Sequence, residues 1–248
     1  IQRVLKSGRN PMHYAPINRS EVLRQANIPK RLAFCRVHSH DQVRRWAFMD
    51  AKLLHVGPEP LGRATRCWQE MAKPLSLGPV TNPFTFHFYA AVAHGHKSPL
   101  VFVPPTPAEG SRDHKSAEHF SSSHYISMMG ELGPSMKGWF PGGDFRIIQD
   151  SAKQHTSQAS QKAVGEMGLP MMSDFPAQSW DLNIIENVWG VLVGKLRGVK
   201  ASTSSTWRAA IIRAWEQVEQ STIDKLVDGV PARMQEVIHA GGHWVSHH

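Results

Sequence analysis

The sequence predicts an α/β fold: one mixed sheet, part antiparallel meander and part parallel, flanked by helices and ending in a helical C-terminus. Three observations carry this. Apolar, aromatic and β-branched runs separated by Gly/Pro turns fill residues 46–103. From about residue 120, strand-like runs alternate with helix-length stretches, which is how parallel neighbours are connected. From Thr206 to about Ala240 the pattern is helical, with a break near Gly229-Pro231.

Composition bounds the rest. A chain of 248 residues buries one substantial core, or one core and a small appendage. The 41% hydrophobic and 19% charged fractions fit a soluble globular protein. No apolar run approaches a membrane span, and no signal segment opens the chain. Residue 1 is Ile, so the chain is expected to begin inside a longer protein. The formal net charge of +8 suits a polyanionic partner such as nucleic acid, although many soluble proteins are mildly basic. Two cysteines, Cys35 and Cys67, form no CxxC pair and imply a reducing compartment. Fifteen histidines include His38/His40, His94/His96 and His247/His248, but no further pair at metal-finger spacing, so these read as surface or loop histidines.

The elements follow in order. Residues 1–45 are basic and broken by Gly8, Asn10-Pro11, Pro16 and Ile28-Pro29. They read as a linker with helix over Val22–Ala26 and Lys30–Val37. Arg24, Lys30, Arg31 and Arg36 there are either a solvated basic face or DNA-backbone contacts. Trp46–Val56 is a buried strand, bending at Gly57-Pro58. Arg63–Glu70, Phe84–Ala93 and Leu100–Val103 are further strands, and 104–122 is a polar loop. Ser123 is a candidate cap for a helix over His124–Lys137, which Gly133-Pro134 is expected to interrupt. Phe145–Asp150 is a strand ending in an acid, and Thr156 or Ser157 opens a helix to about Met167. Met171-Met172 is a candidate short parallel strand. Ser179 or Asp181 is expected to cap a helix running to about Arg197, with Asp181 read as an N-cap. Ribonuclease H-like architectures have this order.

Three acids stand out. Asp50 interrupts an apolar strand, on the face opposite Met49 and Ala51. A carboxylate there must be paired, hydrogen-bonded or metal-bound, because desolvating it alone is expensive. Asp150 ends a second apolar strand, where α/β sheets assemble their sites. Glu186 lies on the following helix, sharing a face with Asn183. Two strands and a helix thus offer an oxygen cage for Mg²⁺ or Mn²⁺. Two such ions support in-line phosphoryl displacement. Spacing alone leaves other readings open: a Lys or Arg partner for Asp50, a turn at Asp150, a surface acid at Glu186.

Two motifs narrow the choice. Phe175-Pro-Ala-Gln-Ser-Trp-Asp-Leu-Asn-Ile-Ile-Glu-Asn-Val-Trp189 resembles the Pro-x-x-Ser-Pro-Asp-Leu-Asn-Pro-Ile-Glu-Asn-x-Trp signature of Tc1-like transposases. Ile148-Gln-Asp-Ser-Ala-Lys-Gln-His-Thr-Ser157 resembles their Gln-Asp-Asn-x-x-x-His pattern. Trp46-Ala-Phe-Met-Asp50 sits where that family has its first acid, and Arg233–His243 looks like its C-terminal ending. The resemblance covers roughly residues 1–244. It implies a ribonuclease H-like DDE catalytic domain of the Tc1/mariner type, with Asp50, Asp150 and Glu186 as the catalytic and metal-holding triad. Thirty-five residues stand between Asp150 and Glu186, one more than is usual, and one extra residue fits the loop near Pro170.

The implied reaction is DNA cleavage and strand transfer at transposon ends. The implied cofactor is two Mg²⁺ or Mn²⁺ ions. The implied partners are double-stranded DNA, as terminal inverted repeats and target, and a second copy of the chain assembled on DNA. Localisation is then nuclear in a eukaryotic host, otherwise with the DNA inside the cell. Residues 1–45 become a linker and the remnant of an N-terminal helix-turn-helix region, whose last helix is about 1–7, and 46–244 the catalytic domain. His155 either steadies the Asp150 loop, contacts DNA or is a helix-entry histidine. Asn183 and Asn187 are candidates to orient Glu186 or meet a phosphate. Lys195, Arg197 and Lys200 are either DNA-backbone contacts or a solvated helix end.

The chain departs from the family pattern at Ala51, Ser151, Trp180 and Ile184, the last two replacing prolines that flank Asp-Leu-Asn. Loss of those prolines is expected to loosen the approach to the Glu186 helix. The alternative is therefore a domesticated or inactive DNA-binding protein derived from a transposase. A third reading is a ribonuclease H-like nuclease with another substrate.

Overall fold

The computed structural model describes residues 12–16, 22–56, 66–70, 84–103 and 120–245. The helix expected at 1–7, the bend at Gly57-Pro58 and most of the 104–122 loop lie outside them. Strand β1 (Met12–Pro16) pairs antiparallel with β3 (Arg66–Glu70) as a small separate ribbon. The main sheet is built on β2 (Trp46–Val56) and β4 (Phe84–Ala93), antiparallel over nine residue pairs from Phe48↔Val92 to Val56↔Phe84. Along the outer edge of β4 run β5 (His96–Lys97) and β6 (Val101–Phe102). On the other side of β2, β7 (Arg146–Ile148) runs parallel to it, and a single parallel bridge, Ile147↔Met171, extends the sheet by one more position. This is the expected mixed sheet. Met171 contributes a bridge where the sequence suggested a short strand.

Trp46, Ala47, Phe48 and Met49 are all buried, because helices cover both faces of the sheet. One face carries α1 (Ile28–His38), α5 (Ile185–Lys195), α6 (Ser204–Glu216), α7 (Gln220–Asp228) and α8 (Val230–His239). Its core holds Phe48, Phe88, Trp189, Trp207 and Trp215. The other face carries α2 (Ser122–Trp139), the single turn α3 (Lys153–Thr156) and α4 (Gln158–Glu166). Met49, Tyr89, Tyr125, Met129, Met136 and Ile147 form its core. The face assignment alternates along β2, with Phe48 and Leu54 on the first side and Ala47 and Met49 on the second.

Three expectations need correction. Helix α2 starts at Ser122 with Ser121 as its cap, and it runs through Pro134 without a break. A mid-helix proline costs about 3 kcal/mol. Tyr125, Met128, Met129, Leu132 and Met136, buried on both sides of it, outweigh that cost. Asp181 does not cap α5, which begins at Ile185 with Ile184 at the cap position and no side-chain cap. Arg31 is not an exposed cation, since it is fully buried, while Arg24, Lys30 and Arg36 are exposed.

Candidate active site

The sheet register brings two of the acids level. Phe48 of β2 faces Ile148 of the parallel strand β7. Two residues further along stand Asp50, within β2, and Asp150, just past the end of β7. Asp50 lies on the α5 face, as alternation predicts, opposite Ala90 of β4. Helix α5 crosses that face and offers Glu186 from its first turn. The approach to α5 is tied to β2 at the neighbouring position: Asn183 Nδ2 donates to the Met49 carbonyl at 3.3 Å.

Asp50 lies within electrostatic reach of both other carboxyls. Burial pushes the Asp50 carboxyl up, and the charges of Glu186 and Asp150 push it further, from an ordinary 3.8 to about 8. Asp50 also shares a hydrogen bond with Glu186. On the opposite face of the sheet, burial and then the charges of Asp50 and Asp150 raise the Tyr89 phenol, so it stays neutral. Asp150 behaves in the opposite way. Burial alone would raise it, but His155 and the Ala152 amide outweigh burial and hold it below the usual carboxylate range. Its Oδ1 lies 2.7 Å from His155 Nδ1 and accepts from the Ala152 N–H at 3.2 Å.

His155 is itself buried, with Nδ1 also 3.2 Å from the Asp150 carbonyl oxygen. Its ring packs on Tyr125 at 4.6 Å, and the Tyr125 hydroxyl donates to Gln149 Oε1 at 2.8 Å. The buried His155 Nε2 and Asn183 Oδ1 have no hydrogen-bond partner among the described residues.

The remaining candidates separate. The Asn187 Oδ1 accepts from Arg233 Nη1 at 2.7 Å, which ties α5 to α8. Lys195 and Arg197 are exposed at and just beyond the C-terminal end of α5. Arg31 and Gln178 belong to one assembly that no local sequence pattern reports. A helical reading of 31, 34, 35 and 38 would have placed Arg31 on the same face as Phe34 and Cys35, and therefore inward. Among the described residues, no group of three or more His, Cys, Asp and Glu side chains is arranged as a ready metal cage. The donor set nonetheless fits a hard divalent cation. Asp50 and Glu186 share one hydrogen bond, and Asp150 adds further negative charge against Asp50.

No family model matches the chain. Over 102 residues it is 35% identical to the transposable element Tc1 transposase of Caenorhabditis elegans, a match covering 41% of this chain and 37% of that protein. Over 101 residues it is 34% identical to the Tcb2 transposase of Caenorhabditis briggsae, again covering 41% of this chain and 37% of the relative. The chain thus spans little more than a third of these curated relatives. Its fold superposes on the catalytic domain of Mos1 mariner transposase with a TM-score of 0.70 at 11% identity, covering 92% of this chain and all of that domain. The same domain solved with raltegravir and Mn matches with a TM-score of 0.68 at 10% identity, covering 92% of this chain and 100% of that one. A Mos1 paired-end complex with the left transposon end matches with a TM-score of 0.71 at 12% identity, covering 94% of this chain and 68% of that one. The fold is ribonuclease H-like. The sequence likeness is to Tc1-type transposases, and the fold likeness is to the Mos1 catalytic domain.

Proposed function

We propose that this chain is the catalytic part of a Tc1/mariner-type DDE transposase, cutting DNA at transposon ends and joining the freed end to a target. One observation carries the reading above the others. Asp50 shares a hydrogen bond with Glu186 and meets the charge of Asp150, although the three acids come from parts of the chain far apart in sequence. Structural acids are normally paired with cations. Asp50 instead faces two other acids, which suits a bound divalent ion.

Asp50, Asp150 and Glu186 would hold Mg²⁺ or Mn²⁺, taken as two ions. Such ions activate water or a 3′ hydroxyl and stabilise the departing oxygen during displacement at phosphorus. The chain's own residues supply the rest. His155 holds the Asp150 carboxylate in its ionised form. Asn183 fixes the start of α5 beside Asp50. Lys195 and Arg197 follow the DNA backbone, where cations position a protein without reading sequence. The partners are double-stranded DNA, as terminal repeats and target, and a second copy of the chain assembled on it, in the nucleus of a eukaryotic host. Residues 46–244 form the catalytic unit, and 1–45 lead into it from a region that reads transposon ends.

The full-length protein, incubated with its terminal inverted repeats and Mn²⁺, should give nicked and joined products. Asp150→Ala should abolish them while DNA binding survives. Undiminished cleavage by Asp150→Ala would refute the triad. Absence of cleavage by the unmodified protein, with DNA binding intact, would favour a domesticated DNA-binding protein instead.

A further inference from the structure

Helix α5 has no side-chain cap at its N-terminus, yet it must hold Glu186 in its first turn against Asp50. Something outside the helix fixes its start. Local bonds supply part of this: Leu182 N–H and Asn183 N–H donate to the Ser179 carbonyl at 3.0 and 3.2 Å, Glu186 N–H donates to the Asn183 carbonyl at 3.2 Å, and Asn183 Nδ2 donates to the Met49 carbonyl at 3.3 Å. The rest comes from Arg31 of α1. Its guanidinium donates through Nη1 to the Gln178 carbonyl (3.1 Å), Ser179 Oγ (2.8 Å) and Asp181 Oδ1 (2.8 Å), and through Nη2 to Asp181 Oδ2 (2.6 Å). Both side chains of the Arg31–Asp181 pair are fully buried.

The C-terminal segment closes over this pair. Arg31 Nε donates to the Gly242 carbonyl at 2.9 Å, and the Val245 N–H donates to Asp181 Oδ2 at 3.2 Å. Trp244 Nε1 donates to the Gln178 carbonyl at 2.7 Å. Arg233 of α8 adds a bond to the Asp181 carbonyl at 3.2 Å. Gln178 sits at φ 56, a left-handed conformation that a non-glycine residue holds only when its surroundings dictate it. Its Oε1 accepts from the Arg24 N–H and from Asn27 Nδ2, both at 2.9 Å. The loop 178–181 is thus held from both ends of the chain.

We propose that Arg31 and Asp181 are positioning residues for Glu186: their buried pair sets where α5 begins, and through it the carboxylate that completes the metal-holding triad. The inference rests on the metal reading given above. The pair has a specifying role, because a bidentate guanidinium–carboxylate contact fixes direction as well as distance. A buried ion pair contributes little net stability over a well-packed apolar replacement. Replacing it by apolar side chains of similar size should therefore leave the fold standing and loosen Glu186.

The test is Mn²⁺ binding by the full chain, read from the electron-paramagnetic signal of free Mn²⁺, with urea unfolding measured in parallel. The double variant Arg31→Met/Asp181→Leu should unfold cooperatively and bind Mn²⁺ at least tenfold more weakly than the unmodified chain. A purely structural pair would shift the unfolding midpoint and leave the Mn²⁺ affinity of the folded protein unchanged. Should the double variant not fold, Arg31→Lys, which keeps the charge and loses the fork, is read by the same titration and should bind at least threefold more weakly. Affinity within twofold of the unmodified chain, in whichever variant folds, overturns the proposal. The control is Asp150→Ala. If the unmodified chain and Asp150→Ala bind Mn²⁺ alike, the metal reading itself fails, and the positioning role falls with it.

Discussion

Replacing Asp50 by Asn should make the metal-free protein more stable while removing its activity. The reason lies in the like charges of the site. Burial and the carboxylates of Glu186 and Asp150 raise Asp50 from 3.8 to about 8. Between those values the folded chain binds a proton that the unfolded chain has released. Stability in the absence of metal therefore falls as pH rises through that window. At about 1.4 kcal/mol per unit, keeping this acid in the fold near pH 7.5 would cost about 5 kcal/mol unscreened, and because Asp50 is only part-buried, solvent screening brings this to on the order of 2–4 kcal/mol. The amide introduced by Asp50→Asn would carry no charge and would leave a donor for Glu186. In EDTA near pH 7.5, the variant should gain roughly 2 kcal/mol, or about 4–8 °C in Tm for a domain of this size. Near pH 4 the gain should nearly vanish. Mg²⁺ at a hundredfold excess over its Kd should stabilise the unmodified chain by about 2.7 kcal/mol and the variant hardly at all. The assay is urea unfolding across pH with EDTA or Mg²⁺. If Asp50→Asn is less stable than the unmodified chain in EDTA near pH 7.5, the acids do not repel one another and the site reasoning is wrong.

Other outcomes follow from single features. Gly242 has φ 93, and a Cβ there would run into the Ile28 carbonyl oxygen, so Gly242→Ala should cost about 3 kcal/mol by urea midpoint; a loss below about 0.5 kcal/mol would contradict the packing of the C-terminal segment on α1. Burial alone would lower His38, but its hydrogen bonds to Asp174 and Asp41, at 2.8 and 2.6 Å, outweigh this and raise it above 6.5. Its contribution is then full below that value and is lost as pH climbs through the raised one, so His38→Gln should lower the unfolding midpoint near pH 6 and have little effect near pH 9. If Lys195 and Arg197 meet phosphates, replacing both by Ala should reduce the slope of log binding constant against log salt by about 1.8 on duplex DNA; an unchanged slope would remove them from the interface.

Much of the fold was legible because it depends on local pattern. Trp46–Val56 and Phe84–Ala93 have the bounds the apolar runs suggested, since a strand buried on both faces reads as one continuous run. Asp150 and Glu186 stand out in the sequence by motif and Asp50 by its break in an apolar strand, and the structure sets Asp50 against the other two. The failures share a cause. Ser179 and Asp181 carry the side chains of a helix cap and stand ahead of an apolar helix, so local chemistry assigned them that job. The structure gives them to Arg31, about 150 residues away in sequence, and no local pattern reports a contact at that range. Pro134 follows the same rule: propensity favours a break there, and burial on both sides of it decides otherwise.

The two lost prolines gain a different meaning from this. In the family pattern they flank Asp-Leu-Asn and stiffen the approach to the catalytic helix, each by restricting the unfolded chain by about 0.4–1 kcal/mol. Trp180 and Ile184 occupy those positions here, and the expected consequence was a loose approach. The structure shows the loop held instead by partners: Trp180 packs on Trp244 at 5.2 Å, Ile184 is fully buried, and Asp181 between them is gripped by Arg31. Restraint of that kind acts on the folded state and needs the N- and C-terminal segments in place. Proline restraint acts on the unfolded state and needs neither. A chain that exchanges one for the other should therefore depend more heavily on Arg31 and Gly242 than a relative that keeps both prolines. Restoring them as Trp180→Pro and Ile184→Pro in the Gly242→Ala background should recover part of the urea midpoint which that substitution loses, and no recovery would refute the exchange.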